Sequence, residues 1–366
     1  MAVKLLWLTE NYPPQRGGMA QSCDRIIHGL RKNNYEIEII HFAVKGHHLV
    51  RKQQSGGGYT AVVYEESESH TLNLAWNYVK TLGNFDYVVA YGNNLSLTGA
   101  PIFAKWMKSK LITFLRGNDF DTSIFTPRKR ETLQYALEQS AIVFSVSHEK
   151  LLKINRWIPE VSVHHVPNGI NLEEWSPSKS EISFAEKWTK ENVKGKICLG
   201  LIGQLKPKKG VQFFIQALSK TSVKDKVHLL LIGEIEETHK EQLDQKGLSY
   251  SLVSFQDRFQ LMKYYLCCHA LVIPSFYEGM PNVMLEAGAL AIPIIASKVD
   301  GMADVIEHNV DGLLFQVGNE DACRRVLYEF ISMKDSWAEM GQKLKMKIKN
   351  KYTAYHEMEN YSNFII

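Results

Sequence analysis

The stretch from residue 270 to residue 315 constrains the fold more than any other part of the chain. It opens with the apolar run Ala270–Ile273, which indicates a buried parallel strand, and Pro274 ends that run. A loop containing Gly279 follows, and Pro281 is suited to the first position of a helix because its missing N–H is not needed there. A strand, a glycine loop and a helix N-terminus predict an anion site, since the first amides of a helix lack partners within the helix.

Two carboxylates flank this predicted anion site. Glu278 lies in the loop, and Glu286 lies eight positions later, one turn inside the helix. A carboxylate repels phosphate, so these side chains are better suited to accept hydrogen bonds from sugar hydroxyls. Phosphate together with hydroxyls indicates a nucleotide sugar. The alternative is an ordinary strand, loop and helix with two solvated glutamates.

Strands alternate with helices through both halves of the chain. The predicted strands are 3–8, 35–42, 87–90, 111–115, 142–146 and 163–167, then 197–202, 227–232, 252–255, 270–273 and 292–296. The predicted helices include 21–32, 101–108, 211–218, 260–267, 322–332 and 337–350, whereas the polar stretch 177–195 is expected to be a surface excursion. This alternation predicts an α/β protein with two doubly wound parallel sheets, which 366 residues can accommodate.

Composition and charge exclude several classes of protein. The net charge of +4 does not indicate a nucleic-acid partner. Five cysteines, two of them adjacent at Cys267 and Cys268, do not form a disulfide framework and fit a reducing cytoplasm. The apolar N-terminal run is too short for a signal peptide, and no run is long enough to span a membrane. We therefore expect a cytoplasmic protein.

Peripheral contact with the inner face of the membrane is a further possibility. The predicted helix 101–108 carries Trp106 beside Lys105 and Lys108, a combination that suits an anionic membrane surface. The alternative is a helix that docks on the sheet and leaves its lysines in solvent.

A glycine pair, Gly17 and Gly18, follows the first predicted strand and would let the backbone approach a ligand closely. The pattern Gly-x-Gly-x-x-Gly is absent, which argues against a dinucleotide-dependent dehydrogenase. The histidine pairs 47–48 and 164–165 lack the spacing of a zinc motif, and they are expected on the surface or in strands.

The segment 278–286, GluGlyMetProAsnValMetLeuGlu, resembles the Glu-x7-Glu signature of the retaining glycosyltransferases of family 4, and the segment 296–315 continues the family pattern. This resemblance implies the GT-B fold, in which two Rossmann-like domains face a cleft. It implies an acceptor-side domain at 1–168, completed by a C-terminal helix at about 351–366, and a donor-binding domain at 169–350. The segment 167–171 resembles the link between the two domains.

The resemblance also implies roles for individual residues. Glu286 would hold the ribose hydroxyls, and Glu278 would hold the transferred sugar. Lys209 and Arg116 would act with Glu278 in catalysis by stabilising charge. The implied donor-binding set is Gly17, Gly18, Gln204, Lys209, Gly279, Met280, Pro281, Asn282, Val283 and Glu286.

Two positions depart from the family pattern. The segment 203–210 resembles the family loop Gly-Arg-Leu-x-x-x-Lys-Gly, but Gln204 replaces the arginine. Lys206, Lys208 or Arg116 would have to compensate for the lost charge. Arg116 stands where many members have a histidine, and an arginine can brace phosphate but cannot act as a base. The alternative for Arg116 is a structural pair with Asp119.

Asp119 and Asp121 spell an Asp-x-Asp pattern, which holds a divalent ion in the GT-A class of glycosyltransferases. The rest of that architecture is missing here, and such carboxylates are more often helix caps or ion-pair partners. We therefore expect no metal and no other cofactor.

The resulting prediction is a retaining glycosyltransferase that takes a UDP- or GDP-sugar. The acceptor would be a hydroxyl on a glycan, a lipid-linked sugar or a small molecule, in surface polysaccharide or glycolipid synthesis. The alternatives are a nucleotide-sugar-binding protein without transfer activity, and another GT-B enzyme such as an epimerase or a phosphorylase.

Overall fold

The structure, a computed structural model, describes residues 2–43, 49–54, 57–63 and 67–366. Its contacts divide the chain into two compact units. Unit 1 comprises Met1–Asn168 together with Ala354–Ile366, and unit 2 comprises Gly169–Thr353. Each unit is a sheet of mainly parallel strands packed with helices, so the predicted α/β class is confirmed.

Unit 1 is built on an eight-stranded sheet of order β3-β4-β2-β1-β5-β6-β7-β8. Its strands are β1 Lys4–Thr9, β2 Glu36–Ala43, β3 Leu49–Gln54, β4 Gly57–Val63, β5 Tyr87–Tyr91, β6 Lys110–Leu115, β7 Ile142–Ser145 and β8 Val163–His165. Its helices before the boundary are α1 Gly18–Lys32, α2 Glu68–Val79, α3 Asn94–Met107, α4 Asn118–Asp121, α5 Pro127–Gln139 and α6 His148–Trp157. Strand β3 pairs antiparallel with β4. The histidine pair 47–48 lies outside the described ranges.

Unit 2 is built on a six-stranded parallel sheet of order β11-β10-β9-β12-β13-β14. Its strands are β9 Ile197–Gln204, β10 Val227–Glu234, β11 Ser249–Val253, β12 Ala270–Ile273, β13 Ile294–Ser297 and β14 Leu313–Phe315. Its helices are α7 Lys179–Asn192, α8 Val211–Ser219, α9 Glu237–Gln245, α10 Arg258–Tyr265, α11 Asn282–Ala289, α12 Asp300–Val305, α13 Glu320–Ser332 and α14 Trp337–Lys351, after which α15 Ala354–Ser362 belongs to unit 1.

The strand order of unit 2 indicates the edge of the sheet at which a ligand is expected to bind. After β9, the chain adds β10 and β11 on one side of that strand and then β12, β13 and β14 on the other side. The direction in which strands are added therefore reverses between β9 and β12. In open α/β sheets, ligands bind outside the carboxyl ends of the strands at such a switch point. The loops that follow β9 and β12 are those that carry Lys209 and Glu278.

Two sequence predictions of local structure were wrong. The stretch 177–195 contains helix α7, because Ser178 and Glu181 form a capping box that the charged composition of the segment concealed. Helix α3 begins at Asn94, and Pro101 lies inside it rather than at its start. The contacts of α3 with β5 and β6 hold the helix on the sheet in spite of the internal proline.

The exposed end of α3 carries the residues that suggested membrane contact. Trp106 is 54% exposed and packs against the ring of Trp76. Lys105 and Lys108 are exposed beside it, so contact with a membrane surface stays a prediction. Within the described ranges, we find no helix with both the length and the hydropathy needed to cross a bilayer.

Buried charges fix helix α15 to unit 1. The Glu357 carboxylate accepts hydrogen bonds from Arg25 Nε at 2.8 Å and Arg25 Nη2 at 3.2 Å, and Arg116 Nη2 lies 3.6 Å away. The rings of Phe114 and Phe144 pack on Tyr361 of the same helix. A buried carboxylate is tolerated here because two guanidinium groups neutralise it.

Replacing Glu357 with alanine should lower the free energy of unfolding by about 3–5 kcal/mol, since it leaves buried guanidinium charge without its partner. Urea unfolding followed by circular dichroism measures the change. Glu359→Ala, at an exposed position of the same helix, is the matched control and should change stability by less than about 0.5 kcal/mol. Equal losses in the two variants would contradict this account of helix α15.

Candidate active site

The loop between β12 and α11 holds a buried carboxylate at the switch point of unit 2. Strand β12 is fully buried, and the chain turns into the loop at Pro274. Glu278 is 7% exposed, and its Oε1 accepts a hydrogen bond from Ser275 Oγ at 3.2 Å. The same oxygen forms an ion pair with Lys209 Nζ. The Lys209–Glu278 pair joins the two loops that the sequence placed at this edge.

Backbone contacts hold these two loops together beneath the ion pair. The Phe276 N–H donates to the Lys208 carbonyl at 2.9 Å. Gly210 has a φ of +67°, and a Cβ there would lie 2.0 Å from the Pro274 carbonyl oxygen. Position 210 therefore requires glycine, because any side chain would separate the loops.

The electrostatics of Glu278 keep its carboxylate charged. Burial by itself would raise the pKa of the Glu278 carboxyl. The positive charges of Lys209 and Lys208, with hydrogen bonds from Lys209 and Ser275, outweigh burial and hold that pKa below its usual value. An anionic, desolvated carboxylate is a strong acceptor for hydroxyl groups.

Helix α11 presents its N-terminus at the same edge. It runs from Asn282 to Ala289, with Pro281 as the residue before its first turn rather than within it. Proline has no side-chain acceptor, so Pro281 does not cap the first amides of the helix. The positive end of the helix dipole lies at these amides. Gly279 and Met280 are buried in the approach to the helix, whereas Asn282 and Val283 are half-buried in its first turn.

The second carboxylate, Glu286, is held by a buried phenol. Tyr265 Oη donates to Glu286 Oε2 at 2.6 Å, and the Tyr265 side chain is fully buried. Burial, and then the charge of Glu286, raise the pKa of Tyr265 well above its ordinary value, so Tyr265 stays a donor. Glu286 is half-buried in the second turn of α11, eight positions after Glu278 of the preceding loop.

Comparison with known proteins identifies the family. The model of Glycosyl transferases group 1 matches residues 183–349, and the model of Glycosyltransferase Family 4 matches residues 16–174. An uncharacterized glycosyltransferase of Methanocaldococcus jannaschii is 25% identical over 344 residues, which are 87% of each chain. The chain belongs to the family 4 glycosyltransferases with the GT-B fold.

Solved structures agree with the fold of this glycosyltransferase. Sucrose-phosphate synthase from Thermosynechococcus elongatus matches with a TM-score of 0.83 at 14% identity, covering 99% of this chain and 98% of that one. HepE of Anabaena, in complex with UDP and glucose, matches with a TM-score of 0.81 at 16% identity over the same shares. A further sequence relative is the Escherichia coli UDP-Gal:alpha-D-GlcNAc-diphosphoundecaprenol alpha-1,3-galactosyltransferase, 23% identical over 45% of this chain and 44% of that one.

The glycosyltransferase places Gln204 at the carboxyl end of β9, opposite Glu234 of β10, where it is half-buried. Two lysines with partial exposure follow in the same loop, and Lys208 Nζ lies 5.5 Å from the centre of the Tyr277 ring. Lys206 is exposed. Compensation for the missing arginine by Lys206 or Lys208 stays a prediction.

In unit 1, Arg116 is buried among residues of its own unit. Its guanidinium donates to Tyr361 Oη at 2.7 Å and to Asn168 Oδ1. Asp119 does not pair with that guanidinium, as its carboxylate accepts the backbone N–H groups of Arg116, Gly117 and Phe120 instead. The structure thus gives Arg116 a structural role, and its predicted part in catalysis stays a prediction.

The remaining predicted positions are the Asp-x-Asp pattern and the glycine pair of unit 1. Asp121 forms an ion pair at 3.0 Å with Lys150, so both carboxylates of the Asp-x-Asp pattern have structural partners. In the described ranges, no group of three or more histidine, cysteine, aspartate or glutamate side chains is arranged to hold a metal. Gly17, with a φ of 125°, precedes the first turn of α1 at Gly18, and a role of this pair in donor binding stays a prediction.

Sequence reasoning missed Ser275, Tyr265 and Asp300. Ser275 lies three positions before Glu278 in the same loop, so its proximity to Glu278 could have been noticed. Tyr265 meets Glu286 across 21 positions, and Asp300 accepts the Glu278 N–H across 22 positions. No local pattern signals either contact, because both depend on how β12 and its neighbours pack.

Replacing Lys209 with methionine should raise the pKa of Glu278, because the carboxylate loses the nearest positive charge and one hydrogen bond. In the wild type the folded-state pKa is depressed, so Glu278 contributes stability above the unfolded pKa, and that contribution is lost as the pH falls through the folded pKa. In the variant this contribution should shrink, so the free energy of unfolding should fall less as the pH is lowered through the carboxyl range. Unfolding free energies measured from about pH 3 to pH 7 show the difference.

Lys206→Met, in the same loop but exposed, is the control for this experiment. Its pH profile should run parallel to that of the wild type. A Lys209→Met profile that also runs parallel would contradict the coupling of Lys209 to Glu278.

Proposed function

We propose that this glycosyltransferase moves a sugar from a UDP- or GDP-sugar to a hydroxyl acceptor, with retention at the anomeric carbon. Unit 2 would bind the donor. The observation that carries the proposal is the convergence at one switch point of the Lys209–Glu278 pair, the N-terminus of α11 and the Tyr265-anchored Glu286. A cation and a helix N-terminus suit a diphosphate, and two fixed carboxylates suit sugar hydroxyls.

Each carboxylate has a distinct part in this proposal. Glu286 would accept hydrogen bonds from the ribose hydroxyls, using lone pairs beyond the one that Tyr265 occupies. Glu278 would accept from hydroxyls of the transferred sugar, beside the backbone of Gly279 and Met280. Fixed acceptors of this kind orient the donor without reorganisation during the reaction.

The positive groups would act on the leaving diphosphate. The Lys209 ammonium has three N–H donors, and its pairing with Glu278 uses one of them. The others would reach the diphosphate together with the amides of Asn282 and Val283 at the start of α11. These groups become more effective as negative charge grows on the leaving group, which is how they would accelerate transfer.

Retention requires no protein base in this scheme. The donor phosphate would take the acceptor proton while the acceptor oxygen attacks from the same face of the sugar. Arg116 stays protonated and cannot accept a proton. Glu278, held anionic by its lysines, would stabilise the sugar rather than supply a proton.

The acceptor class is proposed from relatives. The E. coli relative carries a name that specifies a diphosphoundecaprenol-linked sugar acceptor, and a Staphylococcus aureus relative is named for capsular polysaccharide biosynthesis. We therefore favour a surface glycan or a lipid-linked sugar as acceptor, used at the inner face of the membrane with peripheral contact.

A panel of UDP- and GDP-sugars tests the proposal. The true donor should raise the melting midpoint of the purified protein by mass action. Nucleoside diphosphate should then appear only when an acceptor is present, which separates transfer from epimerase and phosphorylase activity, and the product anomer should match that of the donor. Saturable donor binding without transfer would support the binding-protein alternative, and an inverted anomer would reject retention.

Glu286→Ala should reduce kcat/KM by at least about a hundredfold, because the donor loses charge-assisted hydrogen bonds. Circular dichroism should show an intact fold. Glu241→Ala, at an exposed position of α9, should keep full activity as the matched control. Sugar transfer at the wild-type rate in Glu286→Ala would refute the assignment of the donor site.

Treatment with EDTA should leave the transfer rate unchanged, since Lys209 and the N-terminus of α11 supply the positive charge at the diphosphate. Initial rates with and without EDTA measure this directly. Loss of activity that manganese restores would instead favour metal binding by Asp119 and Asp121.

A further inference from the structure

Asp300 occupies a backbone conformation that favours glycine. It is the first residue of α12, with a φ of +43°, and its side chain is buried at 4% exposure. Aspartate tolerates this left-handed region better than most residues but less well than glycine. Buried residues with such backbone strain concentrate at functional sites, where the surrounding structure holds them in place.

The side chain of Asp300 reaches the candidate active site. Its Oδ2 accepts the backbone N–H of Glu278 at 3.1 Å. The neighbouring Gly301 makes the reverse contact, in which its N–H donates to the Gly279 carbonyl at 2.8 Å. The segment Asp300–Gly301 therefore grips the loop at 278–279 through one acceptor and one donor, and we call this pair of hydrogen bonds the loop clamp.

Close packing reinforces the loop clamp. A Cβ on Gly301 would lie 2.6 Å from the Gly279 oxygen and 2.8 Å from Met280 Cβ, so the two backbones touch. Glycine at position 300 would relieve the strain but would remove the carboxylate that holds the Glu278 N–H. Aspartate at position 300 therefore combines a strained backbone with an acceptor for the Glu278 N–H, and glycine would not supply that acceptor.

We propose that Asp300 is a positioning residue for Glu278. It acts through the loop clamp and not through contact with substrate. By fixing the Glu278 backbone, it holds the carboxylate at the distance from Lys209 and from the transferred sugar that catalysis requires. This inference rests on the proposed function, because it assigns the loop clamp to the placement of the sugar-binding carboxylate.

The first test needs no ligand. Amide hydrogen exchange at Glu278 should become at least about tenfold faster in Asp300→Gly, since the amide loses its acceptor. Asp300→Asn keeps a side-chain oxygen at the same position, and its exchange rate at Glu278 should stay close to that of the wild type. Unchanged exchange in Asp300→Gly would overturn the loop clamp.

The second test separates positioning from stability. Asp300→Gly should lower kcat by at least about tenfold, while the dissociation constants of UDP and GDP stay within about twofold of the wild type. Asp300→Asn should restore most of kcat. A wild-type kcat in Asp300→Gly, or an Asn variant as impaired as the Gly variant, would overturn the proposal.

Lys194→Gly is the matched control for relief of backbone strain. Lys194 has a φ of +52° and is exposed in the turn before β9. This variant should leave exchange at Glu278 and kcat unchanged, whatever it does to the melting midpoint. A loss of kcat in Lys194→Gly equal to that in Asp300→Gly would show that the effect belongs to altered stability and would also overturn the proposal.

The two tests distinguish failure of this inference from failure of the proposed function. If no nucleotide sugar binds the wild type, the proposed function fails, and the exchange experiment still decides whether the loop clamp exists. If donor transfer is observed and Asp300→Gly exchanges and turns over like the wild type, only the positioning role of Asp300 fails.

Discussion

The buried ion pair between Lys209 and Glu278 is the interaction on which the site depends. A carboxylate at 7% exposure is costly unless an opposite charge lies against it, so the loops after β9 and β12 must meet. Gly210 permits that meeting, because its missing side chain lets the chain pass the Pro274 carbonyl. The switch point between β9 and β12 places both loops on one edge of the sheet, and the N-terminus of α11 completes a positively polarised surface there.

Buried charge has a different purpose in unit 1. Arg25 and Arg116 both contact Glu357, and both donate to Asn168, which lies at the last position before the chain enters unit 2. The same two guanidinium groups therefore hold helix α15, through Glu357, and Asn168, the last residue of the first segment of unit 1. Arg116 departs from the family pattern, in which a histidine is common at this position. Its burial explains why an arginine, with five donors, suits this network.

In the proposed function, the replacement of the family arginine by Gln204 would remove one positive charge from the surroundings of the donor. Unit 2 offers Lys209, already paired with Glu278, and Lys208 beside the Tyr277 ring. A neutral amide at Gln204 can donate a hydrogen bond but adds no positive charge. Under the proposed function, stabilisation of a leaving diphosphate would fall mainly on Lys209, Lys208 and the dipole of α11. The position of Glu278 would then decide how much of Lys209 remains for the phosphate. The loop clamp of Asp300 and Gly301 bears directly on that position.

The sequence by itself determined the α/β class, because each buried parallel strand is a continuous apolar run that can be recognised without knowing which strand pairs with it. Ala270–Ile273 was predicted with its observed bounds, whereas α7 was missed because its charged surface concealed the Ser178–Glu181 cap. Two features of the family signature could also be read from the sequence, namely the spacing of Glu278 and Glu286 and the lysine of the 203–210 loop. Only the tertiary structure decided that Tyr265 anchors Glu286, that Asp300 holds the Glu278 backbone, and that Arg116 faces helix α15. Those contacts join residues from 21 to 245 positions apart, and strand order and helix packing, rather than any local pattern, bring them together.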